Sequence, residues 1–487
     1  MLTEGNKIST SFWVGIIFVL ASVGFAAFLS PIVALSVVFA LCHIAHSDFW
    51  FSLFSVNIKP EHFAPLILIA MLVFGKAGGK VAQPIRSIAQ ALVYIGPVGY
   101  WVMTCASSFN SPDPMRSLVL SLQILVAISP VFLLSQIVRD RILFERIVHI
   151  LMMIGVCVTI LGLIGWCLSS FLEIPNMLAS SKFYDVNTRD APNGLFNETN
   201  LYAVFGLSSL GLMLPRLNRS TIGRYLFPLL FVITGLVVSQ TRIVWIVTPM
   251  VLAIYFAASK HRFKRAMPRE PNRFAGNQFQ SKFVILPVFV LTIGVILLFP
   301  VFESQGLSDQ IYGRIGSFSA LEKEANVTNR LLVDQIALTA FSQKNNILLG
   351  LGAGSFMLRG PVLGGSHDWI GNVYIAAMHD GGILSLLFLL GGWISIVLLG
   401  WKSLGDIRNE EYGSALMGVW LASCGLLLTG MSNNVSWMVL YWAYYGLLAV
   451  GIRLHAVGNM LPNQRMRHDE GIPLWHVSAI ARKSPLF

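Results

Sequence analysis

The stretch Ser259-Lys260-His261-Arg262-Phe263-Lys264-Arg265-Ala266-Met267-Pro268-Arg269-Glu270-Pro271-Asn272-Arg273, closed by Lys282 and followed by the apolar run Phe283–Val301, decides how this chain is laid out. Seven Lys or Arg side chains between Lys260 and Lys282 stand against one acid, Glu270, with apolar runs on both sides. Short loops rich in Lys and Arg stay on the cytoplasmic side of a membrane. The run 283–301 therefore leads outward, and the polar stretch from Phe302 to about Ile370 lies outside.

Composition agrees with a membrane setting. Of 487 residues, 55% are apolar and 12% charged, where a soluble chain carries roughly a quarter charged. Backbone polar groups cannot stay unpaired in hydrocarbon, so spans are helices or closed barrels; long continuous apolar runs without strict alternation select helices. The net charge of +11 does not point to nucleic acid, because the excess sits in loops of one parity. Cys42, Cys105, Cys157, Cys167 and Cys424 all fall inside apolar runs, where a thiol acts as a small hydrophobe, and no CxxC metal pattern is present.

Apolar runs at 12–29, 31–45, 63–75, 88–106, 117–137, 147–171, 195–214, 225–240, 243–258, 283–301, 372–399, 413–430 and 435–453 predict about twelve membrane helices. The expected fold is an all-α polytopic membrane protein with one large periplasmic loop, 302–370, that carries an amphipathic helix. The chain divides into N-terminal membrane helices (1–186), a core with that loop (187–400), C-terminal membrane helices (401–454) and a basic cytoplasmic tail (455–487). Lys7 and the run 12–29 have the outline of a signal peptide but lead straight on through Leu29-Ser30-Pro31, which suits a retained first span. Pro31 either separates a hairpin or kinks one long helix, and 63–75 is short for a full crossing. From Ile88 onward the outward segments are Ser107–Arg116, Leu172–Asn193, the Gln240-Thr241 turn, 302–370 and Met431–Asn434.

Within the long loop, Thr328 is placed to cap a helix over Asn329–Phe341, in which Val333, Ile336, Ala337, Ala340 and Phe341 form an apolar stripe. Leu348-Leu349-Gly350-Leu351-Gly352-Ala353-Gly354 ends it. This GxGxG follows no strand and reads as a turn rather than a phosphate loop.

Charges at the margin of a span are costly and mark candidate functional residues. Arg189 precedes a span, Arg242 begins one at an outer turn with almost no loop, and Arg330 opens the amphipathic helix. His367 and Asp368 stand where the loop returns to the membrane, ahead of His379-Asp380-Gly381-Gly382. Each has a plainer reading: Arg330 with Asp334 as a solvated i, i+4 pair, Arg242 snorkelling to lipid phosphate, His379 as a packed histidine paired with Asp380. Together, three arginines and a histidine on the outer face suit a lipid-linked diphosphate. Guanidinium groups bind phosphate oxygens bidentately and stabilise the leaving diphosphate, while a neutral His accepts the proton of an attacking hydroxyl. No paired carboxylates or metal cluster accompany them, so a metal-free transfer without cofactor is expected.

At these residues the chain resembles the bacterial O-antigen ligase and Wzy-type polymerase superfamily. The likeness runs through Arg189…Gly194-Leu195-Phe196-Asn197…Asn200-Leu201-Tyr202-Ala203, Gln240-Thr241-Arg242, Arg330…Leu348-Leu349-Gly350-Leu351-Gly352-Ala353-Gly354-Ser355-Phe356 and Asn372-Val373-Tyr374-Ile375…Asp380-Gly381-Gly382. The resemblance implies transfer of a glycan from undecaprenyl diphosphate to lipid A-core or to an acceptor glycan. It places the chain in the bacterial inner membrane with its site facing the periplasm. By that likeness His367, Arg242 and Arg330 are the expected catalytic residues, and Arg189, Asn197, Asn200, Asn372, Tyr374, His379 and Asp380 bind substrate. Where the family commonly has His before the Asn matched by Asn372, this chain has Gly371, and His367 stands one helical turn earlier. The alternatives are a polysaccharide flippase or ion-coupled transporter, which usually shows two similar halves and broken helices, and a protein O-oligosaccharyltransferase.

Overall fold

The computed structural model describes residues 30–44, 51–53, 56–74, 87–180, 191–196, 198–217, 221–266, 325–342, 347–356, 370–407 and 410–469. Over these residues the chain is all-helical apart from two small hairpins. The helices are α1 (Pro31–Cys42), α2 (Ala64–Val73), α3 (Ile88–Ser107), α4 (Pro114–Ile128), α5 (Pro130–Ile137), α6 (Arg141–Leu172) and α7 (Thr199–Met213). They continue with α8 (Ile222–Val238), α9 (Arg242–Ala266), α10 (Ala325–Ser342), α11 (Val373–Asp406), α12 (Glu410–Thr429) and α13 (Val439–Asp469). The hairpins pair Phe51–Leu53 with Val56–Ile58 and Ala179–Ser180 with Ala191–Pro192, both antiparallel.

Local sequence explains where the helices begin. Ser30, Ser87, Asp113 and Asp140 each accept a backbone N–H three residues on, and Pro31 and Pro114 occupy the first helical position. Six stretches among the described residues are long and apolar enough to cross a membrane: Ile88–Asn110, Pro114–Ile137, Arg141–Leu172, Arg242–Arg262, Val373–Asp406 and Glu410–Thr429. The count of about twelve is thus not reached here. The expected spans 12–29 and 283–301 lie outside the described residues, and α1, α2 and α8 are shorter apolar helices. Twelve residues rise only about 18 Å, less than the roughly 30 Å of a hydrocarbon core, which is why α1 and α2 fall short. The run expected over 117–137 is one membrane-length stretch, in which α4 runs into α5 through Ser129, itself helical in its backbone angles, at Pro130.

Helices approach closely where glycines face each other. A Cβ at Gly96 of α3 would fall 2.6 Å from the Gly392 Cα of α11, and one at Gly211 of α7 would fall 2.8 Å from the Ala422 nitrogen of α12. Small residues at such crossings let backbones touch, the usual contact between membrane helices. α7 is apolar all round and almost wholly buried, as a central helix should be. The first three turns of α13 are equally enclosed, and Trp393, Tyr441, Trp442 and Tyr445 pack ring against ring at 4.7–6.5 Å.

The bundle has two chemically distinct poles. At one, the Arg453 guanidinium donates to the Ser135 and Val138 carbonyls, Arg141 lies 4.9 Å over the Tyr412 ring, Arg216 meets His149 at 3.3 Å, and His261 stacks on Trp401 at 4.5 Å. The basic loops of the sequence therefore gather at one end. At the other, Asn110 donates to the Gly350 carbonyl at 3.1 Å, Arg330 donates to Ser432, and Thr241 donates to Asn200 at 3.3 Å. Of the segments expected on the opposite face, Ser107–Arg116 thus meets the long loop and the long loop meets Met431–Asn434.

α10 carries the expected stripe: Val333, Ala337 and Phe341 are buried and Ile336 packs beside them against Phe356, Ile370 and Ala376. Its start differs from expectation. The helix begins at Ala325, so Thr328 lies inside it rather than capping it.

Candidate functional site

α11 is broken about three turns from its N-terminus. Gly382 has φ 80° and ψ 179°, a conformation open essentially to glycine alone. A break inside a membrane helix frees backbone groups that need partners. The GxGxG turn supplies them. Leu351 N–H donates to the His379 carbonyl at 2.8 Å, Gly352 N–H to the Asp380 carbonyl at 2.9 Å, and Ile383 N–H to the Ile347 carbonyl at 3.0 Å. Gly354 N–H reaches the Asp380 carboxylate at 3.2 Å, and Ser117 anchors the turn from α4 through the Ala353 carbonyl at 2.7 Å. Reading GxGxG as a turn was right, and the turn is spliced into the helix break.

This splice fixes His379 and Asp380. His379 is fully buried, its Nδ1 lies 2.8 Å from Asp380 Oδ1, and its ring meets Phe356 edge-on at 5.7 Å. Nε2 is enclosed with no hydrogen-bond partner among the described residues. Asn372 caps α11 by accepting the Tyr374 and Ile375 N–H groups, and the Tyr374 hydroxyl donates to the Leu427 carbonyl.

A second cluster lies on the same pole. Arg330 Nη1 donates to the Ser432 carbonyl at 2.9 Å and to its hydroxyl at 3.1 Å, tying α10 to the turn between α12 and α13. Arg330 also acts on Glu198, the residue just before α7, and on Asp334 one turn along α10. Lys59 also acts on Glu198, is 6% exposed, and sets its ammonium 3.9 Å over the Trp437 ring. Glu61, wholly enclosed, accepts the Val439 N–H at 3.0 Å and so sits on the N-terminus of α13. Two residues beyond Glu198, Asn200 accepts from Thr241, which adjoins Arg242 across a turn whose Gln240 has φ 52°. Arg330 and Lys59 thus share an influence on Glu198 beside the Ser432 turn, while Arg242 follows Thr241, which is bonded to Asn200 at the start of α7.

Burial is the main electrostatic influence here. It pushes the Glu198 carboxyl above the usual range, with Arg330 and Lys59 pulling it back, and pushes Asp334 up to about 6 against Arg330. It lowers Lys59, with Glu61 and Glu198 opposing.

Of the residues expected from sequence, Arg330 is bonded to Ser432, Asn200 accepts from Thr241 next to Arg242, and Asn372, Tyr374, His379 and Asp380 lie in the first turns of α11. Arg189, Asn197 and His367 lie outside the described residues. Lys59, Glu61, Glu198 and Trp437 had been given no role. The available signal was an acid and a lysine bracketing Pro60 just before an apolar run, the same signal that singled out the arginines. Among the described residues no group of three His, Cys, Asp or Glu stands at metal-binding distance. No known family's sequence pattern matches the chain, and no curated protein is detectably similar to it.

Proposed function

We propose that this protein is a membrane glycosyltransferase that moves a glycan from undecaprenyl diphosphate to a hydroxyl acceptor, as in the O-antigen ligase and surface-polysaccharide polymerase superfamily. The observation that carries this reading is a group of cations at the pole away from the basic loops: Arg330 is tied to Ser432 and acts with Lys59 on Glu198, and Arg242 follows Thr241, which is bonded to Asn200 at the start of α7. In the full membrane topology, about twelve spans including 12–29 and 283–301, the basic pole faces the cytoplasm and this group faces the periplasm of the bacterial inner membrane. ATP is absent there, so a sugar already activated on a lipid diphosphate is the fitting donor. Arg242, with Arg189 from the neighbouring segment, holds the diphosphate oxygens. Arg330 adds positive charge as the bond to the anomeric carbon lengthens. The acceptor is lipid A-core or a second glycan chain; a protein acceptor uses the same chemistry.

One observation favours a transporter, the broken helix α11, since half-helix ends often form substrate sites in transporters. Here the freed backbone groups of His379, Asp380 and Ile383 are already filled by the Ile347–Gly354 turn, which argues against a binding gap at the break. Purified protein in proteoliposomes with a fluorescent undecaprenyl-diphosphate glycan and a core acceptor separates the two. Formation of a glycan–acceptor bond supports the proposal; movement of the lipid between leaflets without a new bond replaces it.

A further inference from the structure

Four large apolar side chains at the pole away from the basic loops stand open. Phe109, just past α3, is 83% exposed, and Leu348 is 59% exposed with Ile347 and Leu349 beside it also open. Two bonds bring these segments to one level of the bundle. Asn110 donates to the carbonyl of Gly350, the residue after Leu349, at 3.1 Å, and the Ile347 carbonyl accepts the Ile383 N–H of α11 at 3.0 Å. From that level α11 presents an exposed apolar stripe, Leu387, Ile394 and Leu398, at helical spacing, and the exposed Lys402 ends it. On α3, which crosses α11 at Gly96 and Gly392, Ile95, Val98 and Val102 are exposed in the same way.

The α11 stripe is too short by itself to face a membrane. From Leu387 to Leu398 the helix rises about 17 Å, against roughly 30 Å of hydrocarbon. Counting back about 30 Å from Lys402, at about 1.5 Å per residue, reaches Gly382. Ile347 and Leu348 lie at that very place: a Cβ on Gly382 would fall 2.1 Å from the Leu348 carbonyl oxygen. Asp380 is the first charged side chain beyond it.

We infer that Phe109 and Ile347-Leu348-Leu349 are inserted among the acyl chains of the leaflet at this pole, completing the lipid-facing wall of α3 and α11. The inference rests on reading α11 as a membrane span, and not on glycan transfer. Part of the segment 302–370, which the charge pattern sets outside, thus returns to the membrane edge. Lipid is the occupant, rather than a second copy of the chain, because the patch continues a stripe that a span must show to acyl chains and lies within the hydrocarbon thickness counted from Lys402. Non-helical backbone is tolerated at such depth only where its polar groups are paired. The bonds of the Ile347–Gly354 turn to His379, Asp380 and Ile383 meet that need. Acyl chains then remove from water the apolar surface that the protein itself leaves open.

The test places a fluorophore on a single cysteine, Leu348→Cys, in the full chain, with Cys105, Cys157 and Cys167, the native thiols that are not buried, changed to Ala. The protein is reconstituted in phosphatidylcholine liposomes containing lipid with a nitroxide either near the headgroup or near the end of the acyl chain. A protein labelled through Ile394→Cys, in the middle of the α11 stripe, is the reference. The Leu348→Cys label is expected to lose most of its fluorescence to the shallow nitroxide and less to the deep one, and the Ile394→Cys label the reverse. A Leu348→Cys label that neither nitroxide reaches, with Ile394→Cys quenched, overturns the inference, whether aqueous iodide quenches it or a second copy of the chain shields it. If Leu348→Cys does not fold, Phe109→Cys is read by the same criterion. An Ile394→Cys label that neither nitroxide reaches overturns the span reading and the inference with it.

Discussion

Replacing Gly382 by Ala attacks the splice between α11 and the GxGxG turn. A Cβ at Gly382 would lie 2.1 Å from the Leu348 carbonyl oxygen and 2.7 Å from the Gly350 nitrogen, both backbone atoms that cannot swing away. The backbone at φ 80° is in addition unfavourable for any L side chain. Strain of about 1–3 kcal/mol, with three backbone hydrogen bonds at about 0.5–1.5 kcal/mol each, gives a loss of about 2.5–7.5 kcal/mol. Gly391→Ala on the same helix is the control: nothing lies within 4 Å of its added Cβ, and Ala in a helix is favoured over Gly by about 0.5–1 kcal/mol. Differential scanning fluorimetry in detergent should show Gly382→Ala melting well below wild type and Gly391→Ala at or above it. Equal melting temperatures for wild type and Gly382→Ala would refute the splice as a structural element.

Other consequences are equally direct. Arg242→Ala should cut transfer by about 10²–10³-fold with expression intact, and near-normal turnover in the liposome assay would remove Arg242 from the site. Arg330→Lys should lose most of the effect of the guanidinium, because one ammonium cannot reproduce a planar fork; hydrogen exchange should show α10 loosened from the Ser432 turn. Asp334 is raised to about 6 in the folded protein, above its usual value of about 3.9, so its contribution to holding α10 is present in acid and is lost as pH rises through 6. Proteolysis of α10 should therefore quicken between about pH 4 and 6 and level off above it, and Asp334→Asn should flatten the dependence. His367→Ala should abolish turnover while expression stays intact; unchanged turnover in the liposome assay would remove His367 from the site.

Much of the layout could be read from the residues. Loop charges foretold the two poles, because the basic runs around Arg141, Arg216, Arg262 and Arg453 are local and strong. The α10 stripe was legible for a similar reason: Val333, Ile336, Ala337 and Phe341 repeat at helical spacing whatever they pack against. What escaped depends on remote partners. Nothing near Gly350 indicates that its turn will pair with His379, Asp380 and Ile383, since backbone pairing leaves no side-chain pattern. Glu198 was visible, but its meaning comes from Lys59 and Arg330, which folding alone brings to it.

The most direct measurement is binding of undecaprenyl diphosphate to purified protein by native mass spectrometry, compared with undecaprenol and phosphatidylglycerol at equal concentration. A role for Arg242, Lys59 and Arg330 in holding a polyprenyl diphosphate predicts selective retention of the diphosphate lipid by wild type and its loss in Arg242→Ala. Equal retention of all three lipids, or diphosphate binding untouched by Arg242→Ala, contradicts it.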